Sequence, residues 1–256
     1  MFHKALNGFL NVVYLPSNNW ENTIKDRLNI YGIYSDGLHW NSIKLSQLDY
    51  GQSERYEQSD FNHLPIESNL LLIYPTKKNL PLKLGQLPDD KNWYSTTPAW
   101  RNSTGFCNQY AQVSYQAELE PFPSKASLLT FHPFIQYKNM KNNLLIVNAT
   151  KEPTIKTHEV KVYNSITLQL IDVVTVKSNS TSEIPLDGYN FNPVDLPVFS
   201  CDTMAGIPFG LGISNDDLTL SLEHTHPPAS LVIFGDRRRI QSKIKQNWFK
   251  KLESAN

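Results

Sequence analysis

From residue 96 onward, apolar and polar positions alternate in short bursts. Val113, Tyr115, Ala117 and Leu119 interleave with Gln112, Ser114, Gln116 and Glu118. That period of two marks an antiparallel strand with one face buried. His158, Val160 and Val162 repeat the pattern against Glu159, Lys161 and Tyr163. Ile166, Leu168, Leu170, Val174 and Val176 carry it into the next strand, with Asn164-Ser165 as the hairpin turn between them. Leu128–Phe131, closed by Pro133, and Leu144–Val147 are unbroken apolar runs of strand length. Short strands at this spacing, separated by Pro, Asn and Gly, predict an antiparallel β-sandwich or jelly-roll-like fold. No helical stretch of crossover length separates them, which disfavours a parallel sheet.

The chain closes differently. Ile240, Ile244, Trp248 and Leu252 recur every fourth residue, so Arg237–Leu252 reads as an amphipathic helix docking that stripe. The remaining faces, Lys245 included, read as basic and solvated.

Residues 1–95 are mixed. Phe9–Leu15, Ile30–Tyr34 and Leu70–Tyr74 read as strands, with a hairpin turn at Ser35-Asp36-Gly37. Trp20–Leu28 reads as a short helix, and the polar stretch Ser46–His63 as loop or weak helix. Pro81, Gly85, Pro88 and Asp89-Asp90 make a polar connection. The expected organisation is therefore a β-containing segment 1–95 followed by a β-sandwich domain 96–256 with its C-terminal helix.

Composition narrows the function classes. The 24 basic and 24 acidic side chains cancel, so no whole-molecule field favours nucleic acid. No apolar run approaches the roughly 20 residues of a membrane span, and residues 1–10 lack a secretory core. A cytoplasmic protein is expected, with Cys107 and Cys201 as reduced thiols. Asn-x-Ser/Thr at Asn102, Asn148 and Asn179 reads as chance in an Asn-rich chain.

Candidate chemistry concentrates at Glu223-His224-Thr225-His226. With Leu218–His226 as one strand, His224 and His226 share the face of Leu218, Leu220 and Leu222, and Glu223 points away. Two imidazoles two residues apart on a strand can hold a divalent metal if a third ligand arrives from elsewhere. By residue type His132, His158, Asp202 and Cys201 are the candidates for it, His132 completing a three-histidine set. Equally, both rings suit a core edge, satisfied by carbonyls or a carboxylate. Cys201 as a nucleophile would need a base, and His224 or His226 is the expected one. Trp93-Tyr94 and Trp100-Arg101, with Tyr110 and Tyr115, form an aromatic group suited to stacking on sugar rings. Two functions are therefore expected. One is a non-enzymatic β-sandwich protein binding a glycan or a protein partner. The alternative is a metal-dependent enzyme, hydrolytic or oxidative, built on the His-x-His strand.

Overall fold

The computed structural model describes residues 1–14, 27–88, 102–116, 121–123, 125–132, 139–191, 196–224 and 237–255, with the backbone alone for 237–241. The chain is mainly antiparallel β, with one C-terminal helix among the described residues. It forms two compact units. The first holds Met1–Pro121, Ala149–Ile155 and Asn179–Thr181, and the second holds Phe122–Asn148, Lys156–Ser178 and Ser182–Asn256. The expected boundary near residue 95 lies outside the described residues.

The first unit contains β1 (Asn7–Val13), β2 (Leu28–Ser35), β3 (Trp40–Leu48), β4 (Ser53–Glu57), β5 (Leu72–Thr76), β6 (Lys83–Leu84), β7 (Ser103–Cys107) and β8 (Gln112–Gln116). They form two four-stranded sheets, ordered β4-β1-β7-β8 and β5-β2-β3-β6. Val12 and Tyr56 from one sheet pack with Leu28, Ile30 and Leu48 from the other in a single buried cluster. The β2–β3 hairpin turns where expected: Gly37 has φ +88°, and the Asp36 carboxylate accepts the N–H groups of Leu38 and His39 at 2.9 and 2.6 Å.

Two expectations in this half are corrected. Ser46–His63 is not a loop or weak helix throughout. It completes β3, supplies β4 and adds a 3₁₀ turn at Gln58–Phe61. Its polar side chains hid these strands, yet they are paired: Gln47 donates to Asn29 at 3.0 Å, and the Ser46 and Tyr56 hydroxyls meet at 2.5 Å. Leu28 opens β2 instead of ending a helix, and the rest of that expected helix, through residue 26, lies outside the described residues save Arg27.

The second unit contains β9 (Leu128–Phe131), β10 (Met140–Val147), β11 (Thr157–Asn164), β12 (Leu170–Lys177), β13 (Thr181–Pro185), β14 (Pro197–Cys201), β15 (Ile207–Ser214), β16 (Leu220–His224) and α1 (Arg237–Ser254). Its sheets are ordered β12-β11-β14-β9 and β13-β10-β15-β16. Val160, Val162 and Phe199 from the first sheet meet Leu144, Ile146 and Ile184 from the second. This is the sandwich that the alternating pattern predicts.

Period two also explains the helix. Leu129, Tyr163 and Val198 project from the opposite face of the first sheet, where Leu252, Trp248 and Phe249 of α1 cover them. The Phe131 and Trp248 rings meet edge-on at 4.8 Å. Ile166 and Leu168 fall in the β11–β12 turn and not in a strand. Ile166 is exposed, and Leu168 sits at φ +61°. Leu218 is likewise an exposed turn residue that precedes β16. No described helix is long and apolar enough to cross a membrane.

Candidate functional site

A cavity of about 530 Å³ opens within the second unit. Four pieces of chain line it: the segment leading into β9, the start of β15, the end of β16 and one turn of α1. Phe122, Leu128, Leu129, Ile207 and Pro208 give it an apolar wall. Lys125, Ser127, His224, Ser242 and Lys245 bring polar groups to the same space. No carboxylate stands among its described lining residues.

Lys245 is the residue that pattern reading missed. It lies four residues before Phe249 and seven before Leu252, on the stripe that α1 presents to the sheet. Its ammonium donates to the Ser127 carbonyl, and burial pushes its pKa down from the ordinary lysine value. An ammonium has three donors and one is committed here. The expected stripe, Ile240 to Leu252, holds at Trp248 and Leu252 but is rotated toward Lys245 and Phe249; the Ile240 side chain lies outside the described residues. The periodicity of Lys245, Phe249 and Leu252 was the available signal.

His224 ends β16 and lines this cavity. In the ladder it faces Phe209, and the two rings meet at 5.6 Å. Leu222 on the same side is buried and Glu223 on the other is exposed, in keeping with period two. His226 lies outside the described residues, as do Trp93, Tyr94, Trp100 and Arg101. Tyr110 is exposed and Tyr115 half-buried.

His132 is placed differently. It is buried against Gly210, where a built Cβ would come within 2.3 Å of its Cε1. Gly210 and Phe209 are successive residues of β15, so their side-chain directions are opposite. His132 and His224 therefore lie against opposite faces of that sheet, and the structure does not bring them together on one ion. Among the described residues, no three His, Cys, Asp or Glu side chains form a metal-sized group. Burial pushes the pKa of His132 down to about 4, which keeps the ring neutral.

Cys201 is connected to a different histidine from the two expected. Its thiol meets the Thr203 hydroxyl at 3.4 Å, and that hydroxyl meets Nδ1 of His158 at 3.0 Å. Cys201 is buried at 2% exposure, so the thiol faces packed core. Cys107 in the first unit is also a free thiol. Two of the Asn-x-Ser/Thr asparagines are structural: Asn148 donates to the Ala205 carbonyl, and Asn179 donates to the carbonyls of Glu152 and Thr154. Both are almost fully buried, so neither amide is presented for glycosylation.

Comparison with protein families, with curated proteins and with solved structures finds no match to this chain. The cavity and its residues are what a functional reading has to stand on.

Proposed function

We propose that this chain is a non-enzymatic β-sandwich binding protein that recognises a glycan. The observation that carries this reading is the cavity in the second unit, where an apolar wall and several hydrogen-bonding side chains converge. A sugar ring needs both: C–H faces that pack on apolar carbon and hydroxyls that meet polar groups. A volume near 530 Å³ falls in the range of preformed ligand sites. The protein partner expected beside the glycan has no comparable feature in its support. Glycan arrays test the reading, run with the wild type and with Ile207→Trp, which narrows the cavity. Binding by the wild type and loss in the variant, with both melting cooperatively, is the expected outcome. Silent arrays from a protein that turns over a small molecule would overturn it.

One observation favours the metal-dependent enzyme as a second reading: His224 lines the same cavity. That reading needs His226 and a third ligand. It predicts a divalent metal in the native protein and loss of thermal stability on chelation. A metal-free preparation whose melt ignores the chelator removes it.

A further inference from the structure

The charge of the cavity narrows the ligand. Lys125 and Lys245 both line it, His224 stands at the strand end, and its described lining holds no acidic side chain. The chain as a whole is balanced, with 24 basic and 24 acidic residues. The local excess of positive charge is therefore a property of this place and not of the composition. Lys245 is held there by packing as well as by a hydrogen bond. The helix that carries it is docked by Trp248, Phe249 and Leu252, and its ammonium donates to the Ser127 carbonyl at the cavity. An ammonium kept half out of water loses hydration, and the loss is recovered when an anion arrives beside it.

We infer that the cavity binds an acidic sugar, with the anionic substituent at Lys245, the ring against the wall of Leu128, Ile207 and Pro208, and hydroxyls toward Ser242. The inference rests on the glycan reading and names its ligand class. Two anionic substituents share this chemistry, a carboxylate and a sulfate. A carboxylate on the ring carbon brings charge close to the ring, whereas a sulfate ester projects it further. The experiment separates the two.

The full-length chain is titrated, by amide chemical-shift changes, with methyl glucuronoside, its methyl ester, methyl glucoside and a sulfated methyl galactoside. The charged sugars are expected to bind about tenfold more tightly than the ester and the neutral glucoside, the size of one charge-assisted hydrogen bond. Preference between glucuronoside and sulfated galactoside, each taken relative to its neutral parent glycoside, identifies the substituent. Lys245→Met keeps the apolar stem and removes the charge, and it should abolish the preference for charged sugars while leaving neutral binding in place. Lys125→Met is the companion variant. It lies at an exposed position outside the helix, so it reports on charge independently of helix docking. Raising salt should weaken the charged sugars alone. Equal binding of ester and glucuronoside overturns the inference and leaves the glycan reading intact. Shifts with none of the sugars, in a protein that reads a neutral glycan on the array, also overturn it. A charge preference that survives both lysine variants overturns the assignment to this cavity.

Discussion

Burial decides the protonation state of His132. Its ring lies against Gly210, 4% exposed, and its Nδ1 has no hydrogen-bond partner among the described residues. Desolvation by burial pushes its pKa down to about 4, against 6.5 for the free ring. The unfolded chain takes up a proton below pH 6.5 that the folded chain refuses until pH 4. The stability associated with the neutral ring is therefore complete above pH 6.5 and falls as pH drops through that window. The loss amounts to about 3 kcal/mol. Urea midpoints measured from pH 7 to pH 4 should show this fall for the wild type. His132→Leu should show a flatter profile over the same interval. Parallel profiles would mean that other groups dominate acid unfolding.

Elements were legible where one face is apolar and the other is solvated. The β11 alternation and the split of His224 from Glu223 are of that kind, whereas Leu128–Phe131 was legible as an unbroken apolar run, buried on both faces. The end of β3 and the whole of β4 were hidden because their side chains are polar and find partners on neighbouring strands, so their sequence resembles a loop. The candidate site was half visible. The end of β16 stood out through its histidines, while Lys245 did not, because a lysine counts as solvated until its helix is docked. Docking geometry makes a prediction at this scale. Leu252 is 1% exposed, between α1 and the outer face of the sheet containing β9, β11 and β14. Leu252→Ala should cost about 2–5 kcal/mol of the contact that holds the helix. Hydrogen exchange should quicken along α1 well before the strands lose protection. If the sheet opens together with the helix, α1 is part of the same cooperative unit.

At the scale of the molecule, the compact units do not follow one cut in the chain. The first unit recruits Ala149–Ile155 and Asn179–Thr181 from later sequence. The recruitment is specific. Trp40, 1% exposed, donates its indole N–H to the Lys151 carbonyl at 3.0 Å. The Ser35 hydroxyl donates to the Pro153 carbonyl at 2.5 Å, and Leu87 N–H to the Lys151 carbonyl at 2.9 Å. Asn179, at φ +52°, bonds Thr150, Glu152 and Thr154 and so shapes this segment. A cut at residue 95 would also remove β7, leaving β1 with only β4 as a neighbour. A fragment of residues 1–121 keeps all eight strands but loses those carbonyls. Each buried donor left unpaired costs about 1–3 kcal/mol, against a total stability of about 5–15 kcal/mol for a typical domain. The fragment should therefore lack the cooperative melt of the full chain. Trp40→Phe in the full chain, which removes one such donor, should lower the midpoint without abolishing cooperativity. A fragment 1–121 with native-like dispersion and a sharp melt would show that the first core suffices, and that the recruited segments are accessory to it.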